Sequence, residues 1–142
     1  MGSKSKRKAW NRFSDAGRSL LVGAATVLPE RANANEARVS AAECFAAIKL
    51  ITKLLKKAVR ERRPDDDNDK SFPSEHAAVC VAAALIIARE YPDEIGASAW
   101  TLAAAVAFAR IESKKHYPSD VLAGALIGWL SVQISLQLRR VV

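Results

Sequence analysis

The chain contains two histidines, and both stand in polar segments between apolar ones. His116 lies in RIESKKHYPSD, residues 110–120, with Arg110 six positions before it and Asp120 four after. His76 closes FPSEH, behind Ser74 and Glu75, and upstream the segment KKAVRERRP holds Lys56 and Arg63 ahead of Pro64. These residue types suit phosphoryl chemistry. Three cations can surround a phosphoryl group and balance the charge on its equatorial oxygens, and preorganised donors of this kind contribute about 10²–10³ in rate each. One imidazole can attack phosphorus as the neutral base, and the other can protonate the leaving oxygen. Asp120, one helical turn past His116, can hold its ring and fix the tautomer. Each residue also has a plainer use: Lys56 belongs to a basic helical stripe, Ser74 is a good helix cap, and Asp120 can cap the helix that follows. That the only two histidines fall in such company favours a site.

These residues need elements that bring them together, and the composition provides helices. Half of the 142 residues are hydrophobic, alanine dominates, and β-branched alternation is nearly absent, a profile of packed helices rather than sheet. Residues 1–12 read as a basic flexible tail, and Ser14 as the cap of a helix to about Leu28, before Pro29. Ser40 with Glu43 fits a capping box, opening a helix in which Cys44, Ile48, Ile51, Leu55 and Ala58 recur at helical spacing, with Lys49, Lys53, Lys56 and Arg60 as a basic stripe. Further helices are expected from Glu75 to about Glu90, over about 96–110, and from Ser119 or Asp120 to about Arg139. The expected fold is a compact all-α bundle of about five helices, residues 13–142 forming a single domain. In an up-and-down arrangement the segments around Arg63, Ser74–His76 and Arg110–Asp120 all fall at one end of the bundle. DDDND at 65–69 lacks the glycine of a calcium loop and has His76 where the last acidic ligand belongs, so it reads as a solvated loop. Cys44 and Cys80 read as small buried hydrophobes.

In their order and internal spacing, Lys56–Pro64 (K-x6-R-P), Pro73–His76 (P-S-E-H) and Ala109–Asp120 (A-R-x5-H-x3-D) resemble the three motifs of the type 2 phosphatidic acid phosphatase superfamily. That group includes lipid phosphate phosphatases, undecaprenyl-pyrophosphate phosphatases, soluble bacterial acid phosphatases and vanadium haloperoxidases. The resemblance implies His116 as nucleophile forming a phosphohistidine, Asp120 as its orienting group and His76 as general acid. It implies Lys56, Arg63, Ser74, Glu75 through its backbone N–H, and Arg110 as phosphate-binding residues, with no metal and no cofactor. Two positions depart from the pattern. Glu75 replaces a glycine, placing a carboxylate that must turn outward or find a cation, and Ala109 replaces a serine. A catalytically weakened, anionic-lipid-binding protein of the same fold is therefore the rival reading.

The net charge of +7 points to an anionic partner, here a phosphorylated lipid or isoprenoid. Nucleic acid is the lesser reading, since only charge supports it. Residues 121–138 are uncharged and cover roughly 27 Å as a helix, barely a hydrocarbon core. The runs at 77–88 and 96–109 are shorter. The balance favours a membrane protein, expected in a bacterial inner membrane with the site on the extracytoplasmic side, and a homodimer is a reasonable assembly. The order basic, apolar, ANA in the first 36 residues imitates a signal peptide, but Asp15, Glu30 and Arg31 interrupt it, and a retained helix is the preferred reading.

Overall fold

The computed structural model describes residues 2–27 and 34–141. Five helices follow in chain order: α1 (Ser3–Val27), α2 (Ala34–Val59), α3 (Glu75–Glu90), α4 (Asp93–Glu112) and α5 (Pro118–Val141). The all-α bundle is as expected. Its first helix is not: α1 starts at Ser3, so residues 3–12 of the segment read as a flexible tail are helical, and Ser14 is no cap. Ser14 is wholly buried in mid-helix, its hydroxyl donating to the Asn11 carbonyl at 2.8 Å. Helix α2 likewise begins upstream of the Ser40–Glu43 pair, at Ala34, and buries the stripe Ala41, Cys44, Phe45 and Ile48. Residues 34–39 belong to this helix, and residues 28–33 lie outside the described residues.

Helix α3 is the axis of the bundle and touches all four others. Its buried residues are nearly all small: Ala77, Ala78, Cys80, Ala82, Ala83 and Ala84 among them. A helix apolar on every side belongs in the middle. Small residues let neighbours come close. At Gly124 and Gly128 of α5 an added Cβ would stand 2.2 Å from the Ser74 carbonyl oxygen and 2.1 Å from that of Ala78. The two helices therefore cross in backbone contact, with the N-terminus of α5 against that of α3. Cys44 and Cys80 are buried free thiols.

The hydrophobic surface is uneven. On α5, Leu122, Leu126, Leu130, Ile134 and Leu138 are exposed along one stripe beside Trp129. On α4, Ile95, Trp100 and Phe108 are exposed, as are Leu50, Ile51 and Leu54 on α2. Helix α4 and residues Pro118–Leu138 of α5 are long and apolar enough to cross a membrane. Trp10 stacks edge-on against Phe13 and Phe108.

Candidate active site

The end of α4 sets the spacing between Arg110 and His116. Ser113 caps the helix, and Lys114 takes the left-handed conformation, φ 59°. The Lys114 N–H then reaches the Ile111 carbonyl at 2.9 Å and the Lys115 N–H the Arg110 carbonyl at 3.2 Å, the paired bonds of a Schellman turn. The His116 N–H donates to the same Arg110 carbonyl at 3.3 Å. Nucleophile candidate and arginine are thus tied through one turn. Helix α5 opens with Pro118 in its first position, and Asp120 reaches back to accept from the Tyr117 N–H at 2.8 Å. That is half of a capping box. Asp120 is therefore a cap whatever else it does.

His116 is buried, 3% exposed. Its Nδ1 donates to the Ser71 carbonyl at 2.7 Å, while Asp120 Oδ2 stands 3.8 Å away. Asp120 acts one step removed: the Ser71 hydroxyl donates to its Oδ2 at 2.5 Å, fixing the residue whose carbonyl holds the ring. With Nδ1 protonated, Nε2 carries the lone pair, and it faces Arg110 Nη2 at 3.4 Å. Burial, then the charges of Arg110, Lys56 and Arg63, push this imidazole far below its ordinary range. It stays neutral. The cations of all three motifs thus act on it, Arg110 in direct contact.

Lys56 spends its donors on the loop: its Nζ reaches the Pro73 carbonyl at 2.5 Å, that of Lys70 at 3.1 Å and that of Ser71 at 3.5 Å. Burial and then Arg63 lower its pKa to about 8. Ser74 caps α3, accepting from the Ala77 N–H at 3.4 Å, and its own N–H donates to the Asp120 carbonyl at 3.0 Å. Among the described residues, Arg63 Nε and Arg110 Nε are buried donors without a hydrogen-bond partner, a costly state that an anion in their reach would relieve. The 65–69 loop is more than solvated. Lys115 pairs with Asp65 at 2.7 Å and Asp67 at 3.2 Å, and the Asp65 N–H donates to the Lys114 carbonyl at 3.0 Å, strapping the loop after α2 to the turn after α4.

Helix α1 supplies residues that the motif spacing did not reveal. Asn11 Oδ1 and the Ser14 hydroxyl accept from Arg110 Nη1 at 2.7 and 3.2 Å. Asp15 Oδ1 lies 2.8 Å from His76 Nε2. Arg18 pairs with Glu75 at 3.5 Å, so the carboxylate that replaces the family glycine has its cation. Asn11, Ser14, Asp15 and Arg18 fall at i, i+3, i+4 and i+7, one helical face, which continues as Leu21 and Ala25 in the core. A face that changes from polar to apolar along its length was the signal in the sequence. Gly17 seats it: a Cβ there would meet Val106 Cγ2 at 2.6 Å.

A groove of about 530 Å³ opens beside Lys56, lined by Lys49, Lys53, Lys57, Arg60 and Lys70 with Asp69 and Glu75. No cluster of three His, Cys, Asp or Glu side chains is close enough to hold a metal among the described residues.

The helical bundle thus gathers two histidines and the cations of three motifs at one end. Residues 37–141 match the model of the PAP2 superfamily, and the chain belongs to that family. It is 35% identical over 118 residues to a decaprenylphosphoryl-5-phosphoribose phosphatase of Mycobacterium tuberculosis, covering 77% of this chain and 63% of that one. It is 36% identical over 87 residues to the bacitracin transport permease protein BcrC of Bacillus licheniformis, covering 61% and 38%. The chain thus spans less than two thirds of these relatives' length. Among solved structures it resembles LpxE of Aquifex aeolicus (TM-score 0.74, 23% identity, 92% of this chain and 85% of that one). It also resembles a transmembrane PAP2-type phosphatidylglycerolphosphate phosphatase of Bacillus subtilis (TM-score 0.73, 20% identity, 96% and 77%).

Proposed function

We propose that this protein is a metal-independent phosphatase that hydrolyses a lipid or isoprenoid phosphate or pyrophosphate through a phosphohistidine on His116. The observation that carries the proposal is the state of His116: a buried neutral ring whose lone-pair nitrogen faces Arg110 within a cluster of three cations. The unpartnered guanidinium nitrogens of Arg63 and Arg110 support phosphoryl binding there. In this reading Nε2 attacks phosphorus, the bond to the leaving oxygen breaks, and His76 gives that oxygen its proton. Water then attacks the phosphohistidine, returning a proton to His76, and the N–P bond breaks to release phosphate. Lys56, Arg63 and Arg110 balance the charge, assisted by Ser74 and the Glu75 backbone. The Ser71 carbonyl, fixed by Asp120, keeps the nucleophile's tautomer.

The mycobacterial relative is named for an isoprenoid-linked phosphate, and the basic groove beside Lys56 has exposed apolar residues of α2 as neighbours. Both support an amphipathic anionic substrate. The apolar stripe of α5 and the two span-length helices support a membrane site, which we place in a bacterial inner membrane with the histidines on the extracytoplasmic side. A homodimer that completes a lipid-facing groove belongs to the same reading, and a fully active monomer in mild detergent contradicts it. The Arg18–Glu75 pair argues against the weakened-binder alternative, since it removes the repulsion that Glu75 would exert. The decisive experiment is phosphate release from an isoprenoid pyrophosphate and from phosphatidic acid in excess chelator, for the native chain and for His116→Ala. Release that survives chelator and is lost in the variant supports the proposal. Vesicle binding without release of phosphate overturns it in favour of the binder.

A further inference from the structure

We propose that Asp15, on α1, is a positioning residue for His76, presenting the ring in the state that can protonate the leaving oxygen. The inference rests on the reading of His76 as general acid. A carboxylate can only accept, so the 2.8 Å contact between Asp15 Oδ1 and His76 Nε2 puts a proton on Nε2. In the cationic ring, which the Asp15 carboxylate favours, the proton to be donated sits on Nδ1, and in the chemical step it passes from Nδ1 to the leaving oxygen while the Nε2 proton stays on its bond to Asp15. Asp15 thus meets its histidine directly, whereas Asp120 reaches His116 through Ser71.

The charged groups acting on His76 come from two elements, Asp15 and Arg18 on α1 and Arg110 on α4. Burial and then Arg110 lower the pKa of His76 to about 4, and Arg18 adds to this; the Asp15 hydrogen bond and charge oppose them. Asp15 is thus the group that favours the cationic ring. It is held in place. Asn11 Nδ2 donates to its Oδ2 at 3.3 Å, and Arg110 Nη1 stands 3.9 Å from its Oδ1. The buried Ser14 and the close seat of Gly17 on Val106 fix the helix beneath it. Asp15 precedes residues 37–141, the stretch that matches the family model, so this frame is an addition to the three motifs.

The test uses the full-length chain in detergent and two substrates with one phosphoryl group but different leaving groups, an isoprenoid monophosphate and p-nitrophenyl phosphate. A poor alkoxide leaving group needs the acid and an activated phenolate does not. Asp15→Asn is expected to lower kcat on the isoprenoid substrate by about 10²-fold, the usual contribution of general acid catalysis, and to leave kcat on the aryl substrate nearly unchanged. Asp15→Glu is expected to recover most of the loss. Equal loss on both substrates makes Asp15 structural and overturns the proposal. A gain in rate overturns it too, showing that the carboxylate obstructs the phosphate position. If the native chain cleaves neither substrate, the phosphatase reading fails by itself. The ring can still be examined by ¹⁵N NMR of His76 in the native chain and in Asp15→Asn. A proton on Nε2 and a lower His76 pKa in the variant support the frame; a proton on Nδ1 alone or an unshifted titration overturns it.

Discussion

The two histidines are held in opposite ways. His116 is fixed by backbone, its Nδ1 on the Ser71 carbonyl and its own N–H on that of Arg110. Its supports come from the stretch that matches the family. His76 is fixed by a side chain, Asp15, 61 residues away on a helix that precedes that stretch. In the proposed reaction one ring stays neutral, as burial among cations favours, and the other takes a proton to donate, which a carboxylate favours against the same burial and the same arginine. A single cationic pocket thus demands different partners for its two imidazoles.

Substitutions at the shared and separate supports break this contrast in order of size. His116→Ala is expected to remove hydrolysis of both ester types, by about 10⁴-fold or more, with no phosphorylated protein trapped on rapid alkaline denaturation, which preserves an N–P bond. Arg110→Ala strikes both frames, since one guanidinium touches His116, Asn11 and Ser14. A loss of about 10²–10³ in kcat/KM is expected, together with weaker protection of α1 in hydrogen exchange. Equal protection in the variant would show that α1 docks without its polar contacts.

Acid sharpens the contrast through stability. Both rings titrate below their ordinary 6.5 when folded, His76 at about 4 and His116 lower still. Below pH 6.5 the unfolded chain therefore binds protons that the folded chain refuses, and stability is lost as pH falls. The slope from each ring rises from about 0.7 kcal/mol per pH unit at pH 6.5 towards about 1.4 near pH 5. Denaturant unfolding of His116→Gln over that range is expected to show about half the histidine slope. Ser71→Ala keeps the carbonyl that holds His116 but strips a donor from buried Asp120, so it is expected to cost about 1–3 kcal/mol of stability and less than tenfold in kcat. Lys114→Gly relieves the left-handed residue at the end of α4. An increase of about 1 kcal/mol is expected, read as a higher unfolding midpoint with kcat unchanged.

The motif residues were legible because their spacing is local. Arg110 and His116 flank one turn, Asp120 closes one cap, and short connections return the chain to the same end of the bundle. The all-α fold was legible from alanine and the lack of alternation. Helix α1 was misread because Lys4, Lys6, Arg7, Lys8 and Arg12 give its first turns the composition of a solvated tail, and most of those side chains are indeed exposed. What orders it is one face, Asn11, Ser14, Asp15 and Arg18, whose partners lie far along the chain. The role of Ser71 was hidden for another reason: its carbonyl holds His116, and no side-chain identity announces a backbone contact.

The bond between Asn11 and Arg110 spans 99 residues, which has a consequence for synthesis. At about 5–20 residues per second a ribosome needs roughly 5–20 s to travel between them. Throughout that interval the polar face of α1 exists without the arginine that will bury it. The turn joining Arg110 to His116 can close as soon as its few residues emerge. The support of His116 is thus made early and locally, whereas α1 can close over the finished end only once α4 has left the ribosome.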